Sequence, residues 1–294
     1  MTIKELLGLT ESLMKDANLT DSYRTAVWIF CDVLECAPAY LIAQEDLSLK
    51  RDQVAQIQEM AYRCAAHEPV QYVIGKTEFY GLNLSLTPDV LIPRPETEQL
   101  VEVSLEVARK IRLRRILDIG TGSGCIAIAM KQAIPEAIVT ACDISESALK
   151  IASINAEKNN IKLQLVPADL FSQDFVSVVG GEYDLVIANP PYIPEHEYSS
   201  LPQMIRDYEP KTALLCGDAP LTFYQAIIEH MERNLLHHAG ILALEVHADY
   251  AESVVTLLHQ HGVLDVQLKR DLAGLPRFIL GEWKRKISLP QTYN

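Results

Sequence analysis

The stretch Tyr183-Asp184-Leu185-Val186-Ile187-Ala188-Asn189-Pro190-Pro191-Tyr192 decides the architecture. Its first six positions are almost wholly apolar, and a run that short and that apolar reads as a strand buried on both faces, the kind found inside a parallel sheet. Two prolines then end it. Proline fixes φ and offers no N–H to a ladder, so the sheet cannot continue through Pro190 and Pro191. The loop that follows is rigid and sits at the carboxyl end of its strand, which in an open α/β sheet is where ligands bind.

The residues in that loop suit a planar amine or amide. An N–H₂ group needs an acceptor for each hydrogen. The Asn189 side-chain oxygen and the Pro190 carbonyl can supply both, while Tyr192 packs on the flat face and Pro191 stiffens the turn. A stiff surface turn after a strand is the plainer reading, and on these four residues alone the two stand level.

Working outward, the pattern from residue 111 alternates strand and helix. Strands are expected at Arg115–Ile119, Ile138–Cys142, Leu163–Val166, Tyr183–Ala188 and Ile241–Glu245, with helices at Ala127–Ala133 and Ser145–Asn159 between the first three. Such alternation argues a parallel sheet with helices on both faces.

The first strand runs into Asp118-Ile119-Gly120-Thr121-Gly122-Ser123-Gly124. Glycines at that place let a ligand approach the backbone, and the helix that follows offers free N–H groups. A G-x-G-x-G string is a weak signal by itself. It gains weight from Asp143, which ends the next strand at the spacing expected for a carboxylate that binds both ribose hydroxyls. Gly124 comes one residue too early for the dinucleotide fingerprint, so the pattern favours a nucleoside without a pyrophosphate, namely S-adenosylmethionine. Capping the next helix is the alternative role for Asp143.

Composition narrows the partners. The chain has 294 residues, 49% of them hydrophobic, and a formal net charge of −13. Such a chain repels phosphate backbones at long range, so direct nucleic-acid binding is not expected without a local basic patch. The dense basic run, Arg109 and Lys110 with Arg112, Arg114 and Arg115, reads as a solvated helix end rather than a phosphate site. The six cysteines form no C-x-x-C pair and read as buried reduced thiols, with no metal site. The polar, helical N-terminus is unlike a signal peptide, and no apolar stretch approaches membrane-spanning length, so no membrane association and a cytoplasmic location are expected.

Three regions are expected. Residues 1–75 read as a small helical bundle. Asp21 caps a helix bearing Val27, Phe30 and Leu34; Val54, Ile57, Ala61 and Cys64 repeat the period; Glu68-Pro69 stops it. Residues 76–110 form a connector in which Leu82, Leu84 and Leu86 alternate as a half-buried strand. Within it, Leu91-Ile92-Pro93-Arg94-Pro95-Glu96-Thr97-Glu98 reads as an extended loop around Arg94, with Thr97 opening a helix that runs to about Lys110. Residues 111–294 are the α/β domain.

Together, Asp118 to Gly124, Asp143 and Asn189 to Tyr192 resemble the class I S-adenosylmethionine-dependent amino-methyltransferases. The segment Leu91 to Glu98 narrows the resemblance to the protein-(glutamine-N5) methyltransferases that modify peptide-chain release factors, the HemK/PrmC family. Pro69-Val70-Gln71-Tyr72-Val73-Ile74-Gly75, Tyr208-Glu209-Pro210 with Ala213-Leu214, and Arg277 are similar to that family as well. The resemblance spans nearly the whole chain.

It implies a Rossmann-like methyltransferase sheet with a helical substrate-recognition domain, and methyl transfer to the glutamine of the Gly-Gly-Gln loop of release factors. It also implies that Gly120, Thr121, Gly122, Ser123, Gly124, Asp143, Asp169, Leu170 and Asn189 contact the cofactor. Asn189, Pro190, Pro191 and Tyr192 would hold the substrate, with Asn189, Pro190 and Tyr192 taking part in catalysis. Two departures stand out. Family members often carry an aromatic where Leu170 stands, with Phe171 adjacent here, and Glu245-Val246-His247 lacks the usual glycine. An adenine-N6 nucleic-acid methyltransferase would share both main motifs, and a non-catalytic cofactor-binding module is the rival from another class.

Overall fold

The computed structural model describes residues 1–284 and divides into two compact units. The first comprises residues 1–76, 86–88 and 201–209. Its helices are α1 (Ile3–Asp16), α2 (Ser22–Val33), α3 (Pro38–Ala43), α4 (Arg51–Ala65) and α5 (Val70–Ile74). Ile3, Leu6, Met14, Ile29, Phe30 and Ile57 meet in its core. Thr2 and Glu5 form a reciprocal capping box at the start of α1. Asp21 stands at the N-cap position of α2 but makes no cap bond. Its carboxylate pairs instead with Arg24 at 2.5 Å, an exposed contact of little energetic weight.

The second unit holds the hairpin β1 (Lys76–Phe79) and β2 (Leu82–Ser85), and then helix α6 (Pro95–Ala108). Helix α6 begins two residues before Thr97, because Pro95 is pre-set for the first helical turn and Arg94 takes the N-cap position. Thr97 is thus inside the helix and buried.

A seven-stranded sheet follows, built from β3 (Arg115–Ile119), β4 (Ile138–Asp143), β5 (Gln164–Pro167), β6 (Tyr183–Ala188), β9 (Leu236–Glu245), β10 (Val263–Arg270) and β11 (Pro276–Trp283); the short strands β7 (Ile193–Pro194) and β8 (Leu215–Gly217) pair separately. Across the sheet the order is β10-β11-β9-β6-β3-β4-β5. The strands from β9 to β5 are parallel. The five expected strands thus form the expected parallel sheet, and two further strands extend its other edge, where β11 runs antiparallel to β9 and β10 antiparallel to β11. Mixed sheets of this kind are common among doubly wound folds.

Strand β6 is buried on both faces. Val186 and Ala188 join one core layer, Leu185 and Ile187 the other. Burial of Leu185, Val186 and Ile187 contributes about 1.5–3 kcal/mol each. The flanking helices are α7 (Cys125–Ala133), α8 (Glu146–Lys158), α9 (Phe175–Val179), α12 (Thr222–Glu232) and α13 (Ala251–Gln260), with the short α11 (Lys211–Leu214) before α12; α10 (Gln203–Tyr208) belongs to the first unit. Among the described residues no helix is long and apolar enough to cross a membrane.

The register sets the site. Ile119 lies level with Cys142 and with Ala188, Cys142 with Val166, and Ala188 with Leu244. The next residues along these strands are Gly120, Asp143, Pro167, Asn189 and Glu245. The sequence motifs are therefore brought to one edge.

Candidate active site

The glycine loop leaves β3 and turns into α7. Gly120, Gly122 and Gly124 have φ of +69°, +52° and +81°, a region that side chains other than glycine rarely occupy. A Cβ added at Gly120 or Gly122 would meet nothing within 4 Å, so the loop borders open space. Gly124 differs. A Cβ there would stand 3.1 Å from the Ala152 Cβ, so this glycine permits close packing of α7 on α8.

Asp118, under the loop, is fully buried. The Thr121 hydroxyl donates to its Oδ2 at 2.6 Å, while Oδ1 has no hydrogen-bond partner. Burial pushes its carboxyl up to about 7, against the opposing Thr121 bond. Asp143 braces the loop from the next strand. Its Oδ2 accepts from the Gly122 N–H at 2.9 Å and its Oδ1 from the Ser145 N–H at 2.9 Å. The N-cap of α8 is Ser145, whose Oγ accepts from the Ala148 N–H, so Asp143 is not the helix cap. Buried Asn155 ties the same loop to the hairpin, donating to the carbonyls of Ser123 at 2.9 Å and Ser85 at 3.1 Å.

After β5, Asp169 is exposed and its Oδ1 accepts from the Phe171 N–H at 2.9 Å. Leu170 turns into the core, and its carbonyl accepts from the His230 Nε2 at 2.7 Å. Phe171 is exposed and meets Phe223 edge-on at 5.0 Å.

After β6, Pro190 is buried, and Asn189, Pro191 and Tyr192 are half-buried. The Asn189 side-chain amide donates to the Thr97 hydroxyl at 3.1 Å. Thr97 in turn donates to the Glu245 Oε2 at 2.9 Å, and the Tyr192 hydroxyl reaches Glu245 Oε1 at 3.4 Å. Glu245 is buried at the end of β9, and Tyr224 donates to its backbone carbonyl at 3.2 Å. Burial raises the Glu245 carboxyl to about 7; bonds from Thr97 and Tyr192 and the charge of Arg277 oppose the rise, and the charge of Glu96 adds to it. Burial likewise raises the Tyr192 phenol. Arg277 is held by Asp271 at 3.2 Å and by the Val246 carbonyl at 3.3 Å.

Thr97 and Glu245 are contacts that sequence reasoning did not bring to the site. They are 148 positions apart and meet only because the sheet order brings α6 beside β9. Each lies in a segment noted for the family resemblance, but nothing local pairs the two.

A glycine loop after one strand, a carboxylate after the next and an Asn-Pro-Pro-Tyr loop beside them define a methyltransferase, and residues 97–208 match the family model described as "Methyltransferase small domain". Residues 5–75 match the "PrmC N-terminal domain". Proteins named release factor glutamine methyltransferase are similar over most of this chain. That of Coxiella burnetii is 38% identical over 95% of this chain and 98% of its own, and that of Chlorobaculum tepidum 37% identical over 94% and 95%. The chain belongs to the release factor glutamine methyltransferase family. Among solved structures, the hMettl16 catalytic domain in complex with a MAT2A 3'UTR hairpin shares the fold, with a TM-score of 0.53 at 17% identity over 87% of this chain and 90% of that one.

Proposed function

We propose that this chain transfers a methyl group from S-adenosylmethionine to the side-chain amide nitrogen of a glutamine in the Gly-Gly-Gln loop of a peptide-chain release factor. One observation carries this reading. Gly120, Asp143, Asn189 and Glu245 follow level positions of paired strands, which supports reading the glycine loop as the cofactor's and the Asn-Pro-Pro-Tyr loop beside it as the amide's.

The residues present fit the cofactor. Open space lies beside Gly120 and Gly122, where a larger residue would intrude. The unpartnered Asp118 Oδ1 and the partly exposed Asp143 carboxylate suit a ligand that carries positive charge and ribose hydroxyls. Gly120 to Gly124 would hold the methionine end, Asp143 the ribose, and Asp169 with Leu170 or Phe171 the adenine. When bound, S-adenosylmethionine supplies an electrophilic methyl group on a sulfonium.

The chain's own part is binding and orientation. Asn189 Oδ1 and the Pro190 carbonyl accept the two hydrogens of the glutamine amide, and Tyr192 covers its flat face. Held this way, the amide nitrogen is aimed, and on gaining the methyl group it sheds one of its two hydrogens as a proton to water. Positioning of this kind is worth ~7–11 kcal/mol in favourable cases. Residues 1–75 serve as the recognition region for the protein partner; Tyr23, Trp28, Tyr40 and Tyr62 are exposed there.

The test is incubation of the chain with methyl-labelled S-adenosylmethionine and a release factor, followed by mapping of the label. Label on the loop glutamine supports the reading. Label on nucleic acid would favour an adenine-N6 methyltransferase.

A further inference from the structure

We infer that Thr97 and Glu245 are positioning residues that fix which end of the Asn189 amide faces the substrate. This rests on the glutamine reading above and adds to it the source of the site's preference for an amide over an acid.

The count of available hydrogens fixes the orientation. Ionised Glu245 can only accept, so the bond to its Oε2 at 2.9 Å consumes the single hydroxyl hydrogen of Thr97. The Thr97 oxygen then has only lone pairs to offer Asn189, 3.1 Å away. The N–H₂ end of Asn189 must occupy that contact, and Oδ1 is left as the end available to a ligand. Reversing the amide would set two acceptors 3.1 Å apart with no hydrogen between them. All three groups are buried or half-buried, so water cannot readily make good the loss. Tyr192 strengthens the arrangement by donating to the other Glu245 oxygen.

A fixed Oδ1 demands a donor from the substrate. A glutamine amide provides one, whereas a glutamate carboxylate would face the oxygen as a second acceptor. Without the Thr97 hydroxyl the Asn189 amide becomes free to turn its N–H₂ outward, and the discrimination weakens.

The experiment compares Thr97→Val, which keeps the shape and removes the hydroxyl, with Thr97→Ser, which keeps the hydroxyl. Wild-type chain, both variants and S-adenosylmethionine are assayed with a release factor and with a competing factor whose target glutamine is replaced by glutamate. Thr97→Val should lower kcat by roughly 10²-fold, the scale of a small misplacement at a reacting centre. It should also narrow the preference for glutamine over glutamate by about tenfold, the worth of one ordinary hydrogen bond. Thr97→Ser should restore both. If the valine variant fails to fold, Thr97→Ala carries the same comparison. A second readout needs no substrate: the side-chain N–H₂ protons of Asn189 should be protected from exchange in wild type and Thr97→Ser, and unprotected in Thr97→Val. Lost kcat with unchanged preference and unchanged protection would reduce Thr97 to a structural role and overturn the inference. Absence of methylation by the wild type would instead count against the glutamine reading, and the exchange measurement would still judge the orientation.

Discussion

The side-chain amide of Asn189 donates to the hydroxyl of Thr97, a residue 92 positions earlier, at 3.1 Å. The amide proposed to face the substrate is therefore tied to helix α6, whose Thr97 belongs to the Leu91 to Glu98 segment.

Removing that amide should be costly to chemistry and cheap elsewhere. Asn189→Ala should lower turnover by roughly 10²–10³, the scale for loss of one positioned group in a transition state. Calorimetry should find cofactor affinity changed far less. Near-normal turnover would remove Asn189 from the mechanism.

Asp143 should behave differently, because it is both a candidate ribose ligand and a brace for the Gly122 and Ser145 N–H groups. Asp143→Ala should weaken S-adenosylmethionine binding and also lower Tm modestly. Asp143→Asn, which keeps an acceptor oxygen for one of those N–H groups, should recover more stability than affinity. Unchanged affinity in both would take Asp143 out of the cofactor site.

The glycine loop separates two kinds of damage. Gly124→Ala should destabilise the fold, since its Cβ would press on Ala152 at 3.1 Å and its φ is +81°. Gly122→Ala meets no neighbour within 4 Å, so it should cost only the strain of its φ, ~1–2 kcal/mol, and chiefly reduce cofactor affinity. Paired thermal melts and calorimetry on the two variants check this division.

Glu245 gives the chain opposite pH signatures in stability and in activity. Its folded pKa of about 7 lies above its ordinary 4.5, so the folded chain holds a proton that the unfolded chain releases in that window. Stability from this group is present below 4.5 and is lost as pH rises toward 7. Activity should move the opposite way. Once protonated, Glu245 donates to Thr97, whose hydrogen then turns toward Asn189 and permits the reversed amide. The groups acting on this carboxyl are Thr97, Tyr192, Arg277 and Glu96. Turnover should fall below about 7 while Tm rises, and Glu245→Gln should flatten the activity curve and reduce the Tm slope to the part due to Asp118 and Asp143, whose carboxyls burial also raises.

Much of this was legible locally. The run Tyr183–Ala188 announced a strand buried on both faces, and the spacing from Gly120 to Asp143 announced neighbouring strand ends. Other features were not legible, for physical reasons. Strand β10 is a bulged edge with half its residues exposed and only Val263 buried, so its alternation is broken. Strand β11 opens with Pro276 and contains Gly281, residues that argue against a strand until the tight contact explains one of them: a Cβ on Gly281 would stand 2.5 Å from the Val263 Cγ1. Strand β9 starts at Leu236, earlier than its apolar core suggests, because His237, His238 and Ala239 are exposed. Thr97 and Glu245 looked like a helix opener and an ordinary strand end. Their contact is a product of sheet order, which local sequence does not encode.

The most direct measurement is mass-spectrometric mapping of a release factor after incubation with this chain and S-adenosylmethionine. One methyl group on the glutamine of the Gly-Gly-Gln loop is the expected result, with loss of the modification when that glutamine is replaced by glutamate or when Asn189 is replaced by alanine. A methyl group on another residue, on nucleic acid, or undiminished in the Asn189→Ala chain would contradict the proposed function.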